Sequence, residues 1–350
     1  MFFIVIGHVQ PFRGFGGYGN YVYFALDTIG QFDVPFFFVT SGYFLATTIE
    51  PGNVTSTVRG IGQKLGSIYV FGRLVSITAM LGLAVFVGAS VTSVVTWLGA
   101  FSLLDIVYYG HAMAAPLWFL TALFFAIVFV AGFVAIGATR YLLPVAALVH
   151  LVGLVGTNYG MLTTVPVPTR DALFFGFFYV ALGYTIRSVD WAPETAHSHR
   201  YLAGIGLALA IQFLEQYAIG YVLRDNVLGQ TIFMTEYTIA TVLLVLAVFG
   251  FALSNPQWGR DTILPWVGRH ALGIYLIHVP VMRGLRAMNR VWGPAIGVDV
   301  TTSFLWQLLF APLVYVLSLS IYLALAKVEI IDPNGSHIPG LSRLRTHLQG

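Results

Sequence analysis

The 350-residue chain contains no cysteine. That excludes disulfides, thiolate metal sites and a cysteine nucleophile. Charge is also scarce: Asp, Glu, Lys and Arg make up 9% of the residues, against 58% hydrophobic. With a net charge of +3 and no basic cluster, nucleic acid is not an expected partner. No HxxxH or HExxH spacing occurs and no metal is expected, while the missing GxSxG elbow argues against a Ser-His-Asp hydrolase. The start carries neither the basic leader nor the small-residue cleavage site of a signal peptide. There is no low-complexity linker and no internal repeat, so the inverted-repeat signature of many transporters is missing.

What fills the chain is apolar. Mean hydropathy is +0.83, and the apolar blocks approach the ~20 residues that a helix needs to cross about 30 Å of hydrocarbon. The blocks are continuous rather than alternating, which favours helices over a membrane barrel. The expected fold is all-α, a polytopic transmembrane bundle of about ten helices. Spans are expected roughly at 1–11, 28–48, 67–88, 117–138, 141–157, 171–187, 200–222, 232–253, 263–284 and 303–326. The first would cover only about 16 Å, so its helix either begins upstream or only dips into the bilayer. One membrane domain, 1–327, is followed by a polar tail, 328–350, with Pro333-Asn334-Gly335 as a turn signal.

Charge placement sets the orientation. With the N-terminus cytoplasmic, Arg59, Lys64, Arg73, Arg140, Arg187, Arg200, Arg260, Arg269, Lys327, Arg343 and Arg345 lie inside, and Arg13, Arg170, Arg224, Arg283, Arg286 and Arg290 outside. Eleven of the 17 basic residues then obey the positive-inside bias. Counting 91–110 as a further span would invert everything after it and leave 8 inside against 9 outside. Residues 91–115 are therefore expected to be an outer-face loop with an interfacial or re-entrant helix, holding Trp97, Tyr108 and Tyr109 at headgroup level. Both termini are expected in the cytoplasm, and the chain in the cell membrane.

Five ionisable residues, His8, Asp33, Glu215, Glu236 and His278, fall within the apolar runs. Such groups are costly in hydrocarbon and mark functional sites. Their similar expected depth points to one polar cavity. A His beside a carboxylate is the usual pair for general base work, because the carboxylate fixes the tautomer and stabilises the imidazolium. Each residue alone is as readily a helix–helix hydrogen bond. Gln212 and Glu215, and again Tyr275 and His278, are three apart and share a helix face. In Asp33-Val34-Pro35-Phe36-Phe37-Phe38-Val39-Thr40-Ser41-Gly42, Pro35 frees a backbone carbonyl and Ser41-Gly42 permits close helix approach. Lys64 and Arg73 are candidates to hold phosphates, although on charge alone the topology-setting role is the favoured one. Arg269-His270 carries the same ambiguity, and Trp118 fits an interface belt.

Four segments, in order, resemble the acyltransferase-3 family of integral-membrane acyltransferases, in the branch that acylates surface polysaccharides and related glycans. They are Ile6-Gly7-His8, the Asp33 to Leu45 block, Pro116-Leu117-Trp118-Phe119-Leu120, and His270-Ala271-Leu272-Gly273-Ile274-Tyr275-Leu276-Ile277-His278. The resemblance covers nearly the whole chain. It implies transfer of a short acyl group, usually from acyl-CoA and here most simply acetyl-CoA, to a hydroxyl or amine on a carbohydrate or glycan acceptor. No tightly bound cofactor is implied. His8 takes the family's essential-His position, with Asp33 as its orienting carboxylate. Ser41, Trp118, Glu215, Glu236, Tyr275 and His278 become pocket residues, and Lys64 and Arg73 fall near the basic motif that meets the donor phosphates. The chain departs from the family pattern in three places. The Arg that precedes the essential His by about ten residues would lie upstream of Met1, the usual arginine pair of the basic motif is not reproduced, and His270 replaces a Ser. The rival expectation is a carrier or flippase for a glycan, lipid-linked sugar or small anion, with the same groups as a proton relay.

Overall fold

The computed structural model describes residues 1–110, 115–161, 168–234, 237–295, 297 and 299–327. The polar tail and Glu236 lie outside the described residues. Among those described there is no β-strand, and the protein is all-α.

The helices are α1 Phe2–Val9, α2 Gly16–Gly30, α3 Asp33–Leu45, α4 Val54–Phe86, α5 Val91–Gly99, α6 Leu103–Val107, α7 Trp118–Ala135, α8 Leu142–Gly156, α9 Phe177–Ser188, α10 Ser198–Tyr217, α11 Ile239–Ser254, α12 Leu264–Arg269, α13 Ala271–Ala295 and α14 Phe304–Lys327. Among the described residues, six segments are long and apolar enough to cross a membrane: Gly16–Leu45, Val54–Phe86, Trp118–Ala135, Thr139–Gly156, Thr195–Val222 and Phe304–Lys327. Two shorter apolar helices, Ala172–Ser188 and Ile239–Ser254, and the 25-residue α13 fall where further spans were expected. The protein is a multi-pass membrane protein. α1, with eight residues, is about 12 Å long and too short to cross.

Two boundaries differ from the sequence reading, each for a local reason. The second span opens early, at Gly16, and breaks at Gln31-Phe32. Pro35 has no N–H to offer the carbonyl four residues back, at Gln31, so α2 ends there and Pro35 enters the first turn of α3, where its missing donor costs little. α4 starts thirteen residues before position 67, at Val54, because Asn53 organises its N-terminus: the Asn53 side chain accepts from Glu50 N at 2.8 Å, and its carbonyl accepts from Thr57 N at 2.9 Å. The 91–110 block is no single helix. Ser90 caps α5, and a Ser102–Asp105 capping box starts α6, leaving helices of nine and five residues that cannot cross.

The chain folds as two compact units. One comprises Met1–Val5, Arg59–Thr121 and the chain from Trp266 on; the other comprises Ile6–Val58 and Ala122–Pro265. In lipid the hydrophobic effect does not draw helices together, so close packing and polar seams must. In the first unit Ile68, Phe71, Leu117, Leu120, Tyr275, Leu276, Ile277 and Tyr322 form the core. Gly273 lets the Tyr322 ring lie directly on α13. In the second unit α3 and α9 cross at Gly42 and Gly183. α2 and α10 are joined by Thr28, which donates to Gln216 Oε1 at 2.8 Å and whose carbonyl accepts from Gln212 at 2.5 Å.

Candidate functional site

The first unit carries Lys64, Arg73, Trp118, Tyr275 and His278. The second carries His8, Asp33, Ser41 and Glu215.

Arg73 is the most unusual side chain of the first unit. It is only 7% exposed. Its Nη2 donates to the Tyr69 hydroxyl and to the Gly110 carbonyl, the latter at 3.2 Å. Tyr69, one turn earlier on α4, places its ring 4.7 Å under the guanidinium and donates its own hydroxyl hydrogen bond to the Ile106 carbonyl. Nε and Nη1 are buried and make no hydrogen bond. Burying a guanidinium with two donors unmatched is costly unless an anion meets it. Gly110 is fixed in this role. Its φ is +68°, and a Cβ would stand 2.7 Å from Trp118 Cα.

Around this arginine lie the Pro-Leu-Trp-Phe-Leu and late-signature residues. Trp118 is buried at the start of α7, and its carbonyl accepts from Thr121 Oγ1 at 2.9 Å. The Tyr275 hydroxyl donates to the Pro116 carbonyl and its ring meets Phe119 at 6.1 Å. His278 is fully buried, with its ring 6.2 Å from that of Tyr275. Its Nδ1 lies 2.8 Å from the Tyr275 carbonyl, which can only accept, so the proton sits on Nδ1 and Nε2 presents the lone pair. Lys64 does not join this group. It is exposed, and nine residues of helix put it about 13 Å along the axis and half a turn around from Arg73.

In the second unit His8 is half-buried in the last turn of α1. Asp33 is half-buried in the first turn of α3 and accepts from Val34 N. Ser41 spends its hydroxyl on the Phe37 carbonyl at 2.8 Å, a bond within its own helix. Glu215 is engaged throughout: Oε1 accepts from the Tyr159 hydroxyl and from Ile239 N at 3.1 Å, and Oε2 from Ala240 N at 2.7 Å. Its carboxylate thus holds the N-terminus of α11.

The Acyltransferase domain family matches residues 1–323 of the chain. The chain belongs to that family. It is therefore a membrane acyltransferase, and the transporter expectation gives way to the enzyme one. No curated protein and no solved structure matches the acyltransferase.

Sequence reasoning about this acyltransferase passed over three residues. Tyr69 stands four before Arg73 on a helix, a spacing that predicts ring-to-cation contact once α4 is recognised. Gly110 gave no signal, since its positive φ and its carbonyl's partner are tertiary facts. His150, 3% exposed, sits with its Nδ1 2.9 Å from the Phe174 carbonyl and its ring stacked on Phe178 at 4.4 Å. It looks like an ordinary apolar-run residue in sequence.

Proposed function

We propose that the acyltransferase moves an acetyl group from acetyl-CoA to a hydroxyl of a carbohydrate or glycan acceptor, in a cell membrane with both termini on the cytoplasmic side. The observation that carries the donor assignment is Arg73: a buried guanidinium, anchored by Tyr69 and Gly110, with Nε and Nη1 unmatched. Nε–H and Nη1–H leave the guanidinium in different directions, so each offers its own charge-assisted hydrogen bond to a phosphate oxygen. The resemblance supplies the rest. His8, in the essential-His position, takes the acceptor hydroxyl proton, and the oxygen attacks the thioester carbonyl. The C–S bond breaks, and the CoA thiolate leaves and is reprotonated. Asp33 orients the imidazole, and Tyr275, His278 and Trp118 belong to the donor side, in the unit that carries Arg73.

The reading is tested with membranes holding the full-length protein and acetyl-CoA labelled in the acetyl group. Label is expected in a carbohydrate product, with transfer lost in His8→Ala and the donor KM raised in Arg73→Met. Unchanged turnover by a folded His8→Ala variant removes His8 from the chemistry. Absence of any labelled product from wild-type membranes supplied with their own glycans overturns the donor assignment.

A further inference from the structure

Within the first unit, α4 and α5 line a half-open cavity of about 120 Å³. Its wall is Ile77, Met80, Leu81 and Ala84 from α4 with Val94 and Trp97 from α5. The hydroxyl of Ser93, also in the wall, is 2.7 Å from that of Ser90 and is committed there. So apolar a lining offers water few of the two to four polar partners that hold it in place. The chemistry of an occupant is therefore alkyl.

A cation adjoins the same wall. Arg283 on α13 places Nη1 2.9 Å from the Met80 sulfur. The side chain is partly buried, and a thioether is a weak acceptor for a group with five N–H donors. Arg286, one turn on and over the Phe310 ring at 5.5 Å, adds a second positive charge. Val85, Phe86 and Val95, beside the wall residues in sequence, are exposed apolar side chains on helices of a membrane protein, a surface suited to lipid tails. An alkyl-binding cavity with a guanidinium at its wall complements a molecule that joins an alkyl chain to an oxyanion.

We propose that this cavity holds one acyl chain of an anionic membrane phospholipid, with its phosphate on Arg283. None of the residues involved enters the donor and acceptor reading, so the lipid site stands or falls separately. It gives the segment 91–110 a purpose as the outer wall of a lipid-binding cleft.

The test uses the full-length protein in nanodiscs of equal parts phosphatidylcholine and phosphatidylglycerol. After a delipidating wash, the lipid retained per protein is counted by mass spectrometry. Wild type is expected to retain phosphatidylglycerol over phosphatidylcholine by about tenfold, which corresponds to about 1.4 kcal/mol. Arg283→Gln should abolish that preference, and Ala84→Phe, which fills the cavity, should lose retained lipid of both kinds. Trp97→Ala, on a short surface helix, should weaken retention while leaving helix content by circular dichroism unchanged. Glycerol 3-phosphate, which carries the head chemistry without a chain, should fail to displace the lipid. No headgroup preference in wild type, full preference in Arg283→Gln, undiminished retention in folded Ala84→Phe or Trp97→Ala, or displacement by glycerol 3-phosphate each overturns the proposal.

Discussion

Gly42 on α3 and Gly183 on α9 each face the backbone of the other's helix. A Cβ on Gly42 would overlap the carbonyl of Val180, and a Cβ on Gly183 would overlap the carbonyl of Val39. The obstacle is backbone on both sides, so no side-chain rotation makes room. The crossing distance of these two helices is set by the absence of both side chains.

Alanine at either position should therefore push the helices apart. The expected loss is about 1–3 kcal/mol for each single substitution. The two substitutions strain the same crossing, so the double variant should lose less than the sum. Thermal unfolding in a mild detergent measures both effects. A Gly42→Ala protein that melts with the wild type contradicts the crossing as described.

Arg73 offers a comparison of charge with shape. Arg73→Lys keeps the positive charge but loses the planar fork and the cation–π geometry over Tyr69. The KM for acetyl-CoA should rise by about tenfold or more in Arg73→Lys, the equivalent of one charge-assisted hydrogen bond. Tyr69→Phe, which removes one of the two acceptors of Nη2, should move the same constant in the same direction by less. The KM for the acceptor should stay put in both, and steady-state kinetics against each substrate in turn separate the two.

Gly110→Ala should act on the same constant from a distance. The substitution meets a left-handed backbone and the Trp118 backbone together, and should cost at least about 1 kcal/mol. It also displaces the carbonyl that anchors Arg73. A lower melting temperature accompanied by a higher donor KM is expected. A lower melting temperature with an unchanged donor KM would detach Gly110 from the arginine's positioning.

Glu215 separates a structural carboxylate from a reactive one. Glu215→Gln removes the charge and one acceptor from the α11 N-terminus, and should cost about 1–2 kcal/mol of stability. Turnover of the folded protein should remain near wild type. A collapse of kcat with unaltered melting would return Glu215 to the list of reacting groups.

The long apolar runs carried the fold: hydrocarbon thickness dictates element length, and six of the described segments match it. The same logic explains the misplaced start of α4. Its first third, with Thr55, Ser56, Thr57, Arg59, Gln63 and Lys64, is helical without being apolar, and a hydropathy scan reads only the apolar part. Gly42 was legible as a close-approach residue because small side chains announce packing in membranes, but its partner Gly183 lies in another helix and no local pattern joins them. Lys64 and Arg73 look like a pair in one dimension, whereas helical rotation sends them to opposite faces. Glu215 illustrates the other limit. A carboxylate in an apolar run signals a strong partner, and only the fold reveals that the partner is the start of α11.

The 33 residues of α4 extend about 50 Å, well beyond the ~30 Å of hydrocarbon that a bilayer offers. The surplus must tilt or stand clear of the lipid, and Arg59 and Lys64 ride on its polar end, both exposed. A cation there acts through long-range attraction on an approaching polyanion rather than by contact. On the proposed donor assignment, higher ionic strength should slow capture of the donor more than it weakens the bound complex at Arg73.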